Sequence, residues 1–282
     1  MADFSIHAAR ASGFLTAMPA LMRSAGLHLL NWLIPPTCPV CHAETSMTGP
    51  DGLSSLLCAS CFTALNFIVP PVCQCCGRPM DAAEGIAPDG VCEVCRIKPP
   101  RFRHARAALL YDDGSRRIIL PFKHADRMAH ASLLARWMAD SGGDLLRQAD
   151  WLVPVPLHPS RLRQRRYNQS ALLCRALSRL TGVPAMLDGL QRIRRTPSLG
   201  TLTARQRQQM MRGAIQARLT RRQKLHAARI VVVDDVMTSG ATVSACARAL
   251  YAAGAASVDV LTAARVELPD EIPLSGQAKT PM

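Results

Sequence analysis

Asp234 and Asp235, two adjacent carboxylates, follow the β-branched run Ile230 to Val233 and precede the small-residue stretch Thr238-Ser239-Gly240-Ala241-Thr242. Such a run reads as a strand buried on both faces of a parallel sheet. The stretch from Val243 to Ala253 reads as a helix, closed by Gly254. A helix N-terminus offers unpaired N–H groups and the positive end of a dipole, and small residues let an anion approach the backbone. That combination is a seat for a phosphate. Two carboxylates beside it add acceptors for hydroxyl groups, so the ligand class is a sugar phosphate. Its hydroxyls would donate to Asp234 and Asp235, and its phosphate would rest on Thr238, Ser239, Gly240, Ala241 and Thr242.

The second chemistry-bearing set is cysteine. Eight of the eleven cysteines fall in four C-x-x-C pairs: Cys38 and Cys41, Cys58 and Cys61, Cys73 and Cys76, Cys92 and Cys95. A two-residue spacer lets two thiolates reach one ion, and four thiolates close a tetrahedral zinc site. Cys75 is set aside because only Cys73 with Cys76 keeps that spacing. Gly77, just after the second cysteine, suits a tight turn. So little apolar sequence lies between the pairs that the segment needs metal to fold, which favours two structural Zn2+ over redox-active pairs. The spacing leaves open whether the pairs share an ion sequentially or interleaved. Cys174 and Cys246 occupy apolar helical positions and are expected in the core.

The elements around these sets alternate. Ala105 to Tyr111 reads as a strand, Ser115 to Phe122 and Met128 to Ala139 as helices, and Trp151 to Leu157 as a strand with Pro154 and Pro156 near its end. Prolines there place that strand at an edge or at its own terminus. Alternating strands and helices imply a parallel sheet with its ligand at the carboxyl edge. Both Pro154-Val155-Pro156 and Asp234-Asp235 fall at that edge. An arginine-rich stretch, Arg161 to Gln169, follows and leads into a helix from Ser170 to Leu180. Another helix is expected around Arg205, Arg207 and Arg212.

The formal charge of +14 over 282 residues is unevenly placed. Between Trp151 and Arg229 there are 17 Lys or Arg against one acid, Asp188, so the rest of the chain nets −2. That surplus exceeds what one sugar diphosphate needs and suggests a larger polyanion, nucleic acid being the natural one. Aromatic residues make up only 4% of the chain, so phosphate contacts rather than base stacking should dominate. No uncharged apolar run is long enough to span a membrane. Cysteines in metal-type spacing, with no secretory signal, point to a reducing, cytoplasmic location.

Four segments follow from this reading. Residues 1–35 form an amphipathic helical segment, with Phe14, Leu15, Met18, Leu21 and Met22 on one stripe. The stripe is expected to pack on the protein's own core, with membrane-surface contact the alternative. Residues 36–100 form a double zinc ribbon, 101–266 the α/β domain, and 267–282 a Pro- and Gly-containing tail.

The segment from Ile230 to Thr242 resembles the phosphoribosyl-diphosphate signature of type I phosphoribosyltransferases. The order of motifs resembles the ComF family: an apolar N-terminal helix, cysteine knuckles, Phe122-Lys123, Val-Pro-Val-Pro-Leu at 153–157, Arg166-Tyr167-Asn168-Gln169, Arg192 to Thr196, then the acidic loop. The resemblance implies a type I phosphoribosyltransferase fold behind a double zinc ribbon. It also implies a role in DNA uptake during natural transformation, through single-stranded DNA or a helicase. Phosphoribosyl diphosphate, carrying Mg2+, would be the ligand, with Lys123, Arg161, Arg163 and Arg165 on its diphosphate. The alternative implied activity is transfer of the phosphoribosyl group to an acceptor that no motif identifies. The chain departs from the family pattern at Arg166, where a glycine is usual, at Leu199 and at Met210.

Overall fold

The computed structural model describes residues 37–45, 57–80, 89–122, 129–194 and 204–267. The amphipathic segment, the tail and Lys123 therefore lie outside the described residues. The chain forms two compact units, Met1–Ala59 and Ser60–Met282, divided within the short helix α1 (Ala59–Thr63).

In the first unit, Cys38 to Ala43 make a knuckle. The Cys38 amide donates to the Ala43 carbonyl at 2.7 Å, and the His42 amide donates to the Cys38 carbonyl at 2.8 Å. His42 adopts φ 62° to close this turn, with an isolated bridge from Thr37 to Glu44 below it.

The second unit opens with the same construction. The Cys73 amide donates to the Arg78 carbonyl, the Gly77 amide to the Cys73 carbonyl, and Val72 bridges Pro79. Gly77 holds φ 69°, the left-handed region where a glycine has no Cβ penalty. Helix α2 (Glu93–Ile97) follows Cys92.

The main sheet has four parallel strands in the order β1 (Ala105–Leu110), β6 (Ser257–Arg265), β5 (Arg229–Met237) and β2 (Trp151–Pro154). Every residue of β6 is buried, as its central position requires. The β2 edge carries Pro154, whose missing N–H costs nothing there. The other edge is covered by the chain between the cysteine pairs: the Ile68 amide donates to the Ala108 carbonyl and the Leu110 amide to the Asn66 carbonyl.

Helices α3 (Asp113–Phe122), α4 (Ala129–Ser141) and the short α5 (Gly143–Leu146) lead from β1 to β2. After β2 come α6 (Pro159–Arg165) and α7 (Gln169–Thr181). Helices α4 and α7 pack on each other; α4 also packs on β1 and β6, and α7 on β2 and β5. A two-stranded antiparallel hairpin, β3 (Leu190–Arg192) and β4 (Ile215–Ala217), encloses α8 (Ala204–Met211). A 3-10 turn, Leu219–Arg221, and helix α9 (Arg222–Leu225) then lead into β5. Helix α10 (Ala241–Ala252) follows β5; its Cys246 and Leu250 join a core with Ile230, Val232, Val258 and Val260. The expected α/β architecture, a parallel sheet flanked by helices behind a cysteine-rich ribbon, is the one observed.

Buried charge is matched where it enters the sheet. Asp259, buried on β6, accepts two hydrogen bonds from the Arg103 guanidinium at 3.1 and 2.8 Å and one from the His104 amide at 3.1 Å.

Candidate functional site

The strand holding the acidic pair runs further than its β-branched core suggests. It extends from Arg229 to Met237, so Asp234 and Asp235 lie within β5 rather than after it. The reason is the neighbouring ladder, since β6 continues to Arg265 and pairs Asp234 with Thr262 and Met237 with Arg265. On the other side, β2 ends at Pro154 opposite Val233. Past that point the chain turns into α6, and β5 presents Asp234, Asp235 and Val236 at the carboxyl edge beside a departing strand, the location where parallel sheets bind ligands.

Both acids are half-buried. Asp234 accepts from the Ser170 hydroxyl at 2.9 Å and from the Asp235 amide at 2.9 Å, and Asp235 accepts from the Val236 amide at 2.7 Å. Gly240 holds φ 70° at the N-cap of α10 and supplies no side chain to cap it. The Ser239 hydroxyl, next to it, is buried with no hydrogen-bond partner among the described residues. A buried, unsatisfied hydroxyl beside an uncapped helix start is a donor set waiting for an acceptor. Thr238 is exposed and Thr242 half-buried at the same bend.

The first part of the arginine-rich stretch lies in a helix, α6. The His158 ring nitrogen accepts from the Ser160 amide at 3.2 Å and Pro159 occupies the first turn, a proper helix start. Arg161 and Arg165 are half-buried and Arg163 is exposed. Arg166 then takes φ 65° at the C-cap, the left-handed region that favours glycine. The Tyr167 hydroxyl donates to the Phe122 carbonyl at 2.6 Å, drawing this turn to the end of α3. Asn168 caps α7 by accepting from the Ser170 amide at 3.1 Å, while its own amide donates to the Val155 carbonyl at 3.0 Å.

Two further residues bear on this site. Ser170 holds Asp234 across 64 positions, a pairing with no local signal. Arg192 of β3 is buried; burial and the nearby Arg161 weaken its hold on its proton, against the opposing field of Asp234. Its guanidinium contacts the Met211 sulfur at 3.3 Å and is within the fields of both Arg161 and Asp234.

The cysteines group sequentially, which resolves the open pairing. Cys38, Cys41, Cys58 and Cys61 have all four sulfurs within 4.8 Å of one another, and so do Cys73, Cys76, Cys92 and Cys95. Cys41 and Cys58 sulfurs lie 3.4 Å apart, and Cys76 and Cys92 sulfurs 3.8 Å. Four sulfurs bound to one zinc at about 2.3 Å would stand at this kind of separation. The Cys73 sulfur also accepts from the Cys92 amide at 3.3 Å and the Cys76 amide at 3.5 Å, which favours a thiolate. Contacts with Cys76, Cys92 and Cys95 hold the Cys73 thiol far below its usual range, while Cys95 is pushed far above it by the other three. Crowded thiols that cannot all ionise alone are what a divalent cation resolves, so the donor chemistry fits zinc. Cys75 stands outside both groups, as its spacing indicated.

A family model described as a double zinc ribbon domain matches residues 29–97. The chain is 33% identical over 192 residues to the DNA utilization protein YhgH of Salmonella typhimurium, covering 66% of this chain and 80% of that protein. The chain belongs to the ComF family. Another relative is the Competence protein F of Haemophilus influenzae, 30% identical over 120 residues, covering 43% of this chain and 52% of that one. Among solved structures, the allosteric regulatory enzyme of purine biosynthesis is 21% identical over 51% of this chain and 30% of its own, with a TM-score of 0.35. The orotate phosphoribosyltransferase from Aeropyrum pernix is 16% identical over 57% of this chain and 80% of its own, with a TM-score of 0.30. In this ComF-family chain, Cys174 and Cys246 are fully buried in the core, where burial, then the field of Asp234, pushes both thiols well above their ordinary range.

Proposed function

We propose that this protein binds phosphoribosyl diphosphate at the end of β5 and supports DNA uptake through contacts of its basic surface with single-stranded DNA or a helicase. The observation that carries the ligand reading is the buried Ser239 hydroxyl, without a partner among the described residues, beside the uncapped start of α10, with Asp234 of β5 oriented by Ser170 of α7. In this reading Thr238, Ser239, Gly240, Ala241 and Thr242 hold the 5-phosphate, and Asp234 and Asp235 accept from the ribose hydroxyls. Arg161, Arg163 and Arg165, with Lys123, neutralise the diphosphate; the planar guanidinium fork suits that task. Half-buried carboxylates are hard oxygen donors suited to Mg2+, which when bound would offset charge on the diphosphate. The names of the relatives, a DNA utilization protein and a competence protein, support the DNA-uptake part. The paired cysteine groups support two structural zinc ions per chain in a cytoplasmic protein.

Titration with phosphoribosyl diphosphate tests the ligand reading. Asp234→Asn/Asp235→Asn should weaken binding by at least about tenfold, the cost of losing one or two charge-assisted hydrogen bonds. Ser170→Ala should weaken it less, since it only orients one acid. An unchanged affinity in the acid-pair variant would remove the site. Screening the bound protein against bases and amines for diphosphate release then decides whether transfer chemistry accompanies binding.

A further inference from the structure

A second concave surface lies away from the carboxyl edge, along the flank of α10. It is a cleft of about 460 Å³ between that helix and the β3–β4 hairpin with the 3-10 turn after it. That volume is within the roughly 300–1,000 Å³ usual for small-molecule sites. Its floor is apolar: Ala245, Ala249 and Ala252 from one face of α10, closed by Met211 and Ile215. Its rim carries Arg218, Arg222 and Arg248.

The cations of this cleft are under-matched: Asp188 reaches Arg218 only through its field, not through a contact. No carboxylate pairs with Arg218, Arg222 or Arg248 among the described residues; the nearby Asp188 is taken by Arg221 at 3.0 Å. One guanidinium nitrogen of Arg248 is buried with no hydrogen-bond partner. Burial disfavours its charge, and Arg101 and Arg212 nearby add repulsion. A buried unpaired donor surrounded by like charges costs stability, and a phosphate would reverse the sign of that cost. Beside these cations Leu219 stands 83% exposed at the cleft mouth, an apolar wall with nothing on it. Anion holders on the rim and flat apolar surface on the floor and wall describe one ligand chemistry, phosphate joined to a planar base.

We infer that the cleft along α10 is a nucleotide-binding site separate from the end of β5, with Arg218, Arg222 and Arg248 on the phosphates and the alanine floor and Leu219 against the base. The nucleotide can arrive free or as a unit of a single strand, and the two sources share the same contacts. This site stands independently of the phosphoribosyl reading, because none of its residues belongs to the loop or the acidic pair.

The test uses the full-length, zinc-loaded protein and three probes: ADP, tripolyphosphate and an oligothymidylate. Arg218→Ala/Arg222→Ala, both exposed and tolerant of truncation, should weaken ADP binding by at least about tenfold, since each charge-assisted contact contributes of order one kcal/mol or more. Arg175→Ala/Arg179→Ala removes the same charge from α7 and should leave ADP binding unchanged. ADP is also titrated in the Asp234→Asn/Asp235→Asn background, where the ribose-phosphate site at the end of β5 does not contribute, and Arg218→Ala/Arg222→Ala should weaken binding there by the same factor. ADP should bind more tightly than tripolyphosphate because of the apolar floor. Tripolyphosphate should raise the melting temperature of the wild type but not of Arg248→Ala, whose ligand-free form should melt no lower than the wild type. Loss of oligothymidylate binding in Arg218→Ala/Arg222→Ala would identify a strand as the source, and its retention beside lost ADP binding would identify the free nucleotide. Equal ADP affinity in wild type and Arg218→Ala/Arg222→Ala would overturn the assignment. So would equal losses in the α7 control, or tripolyphosphate binding as tightly as ADP.

Discussion

Gly77 is the most exacting position in the second cysteine knuckle, and its replacement by alanine tests how firmly that knuckle is seated on the sheet. A Cβ added there would stand 2.4 Å from the Ala105 carbonyl oxygen and 3.1 Å from its carbon, both backbone atoms of β1. The residue also holds φ 69°. The left-handed conformation alone costs an L-residue about 1–2 kcal/mol. The contact cannot be relieved by a rotamer, so the knuckle must lift from β1. Lifting strains two bonds, the Ala105 amide to the Cys75 carbonyl at 2.8 Å and the Arg265 guanidinium to the Cys76 carbonyl. At about 1 kcal/mol for each, the total reaches about 3–4 kcal/mol. Gly182 provides the internal control. It has φ 77° and nothing within 4 Å of an added Cβ, so Gly182→Ala isolates the conformational cost. Urea unfolding of the two variants at equal zinc loading should differ by about 2 kcal/mol, Gly77→Ala being the less stable. Equal losses would show that the knuckle does not press on β1, and the reasoning would fail.

Other outcomes follow from single contacts. Arg166→Gly should raise stability by about 0.5–1 kcal/mol, because relief of the left-handed strain outweighs glycine's added unfolded-state entropy, whereas Arg166→Val should lower it; thermal melts of both check the sign. Arg103→Ala leaves the Asp259 carboxylate buried without its guanidinium and should cost about 2–3 kcal/mol in chemical unfolding. Burial works against ionisation of Asp112, but the Ser115 amide, the Asn66 amide and the Ser115 hydroxyl outweigh it and hold the carboxyl below its ordinary value. Its contribution is therefore present above the unfolded-state value near 3.8 and lost as pH falls through the lower folded value, so Asp112→Asn should flatten the acid limb of stability against pH.

The order of elements was legible because periodicity and β-branching are local. Ile230 to Val233 announced a strand, and Ala241–Ala252 emerged within two residues of its expected start. The strand's continuation through Asp234 and Asp235 was not legible, since carboxylates disfavour strands and only the β6 ladder carries them. Helix α6 left only a local signal, His158 before Pro159, because its seven residues carry one apolar side chain, Leu162, beyond the first turn and so show no periodicity. The cysteine spacing identified the ligand residues without saying which pairs converge, because convergence depends on the path of the loops between them. Ser170 reaches Asp234 only through the tertiary fold, and nothing near it in the chain points to that contact.

The position of β6 has a consequence for how the molecule is made. The sheet places its last strand between the first and the fifth, so β1 has no ladder partner within the main sheet until residues near Val260 have been synthesised. A nascent chain must keep Ala107 and Leu109, both buried in the finished protein, out of trouble for most of translation. The linker at Asn66 to Ile68, which bonds to β1 from its other edge, is available from the outset and can shield that strand while the ribosome completes the rest.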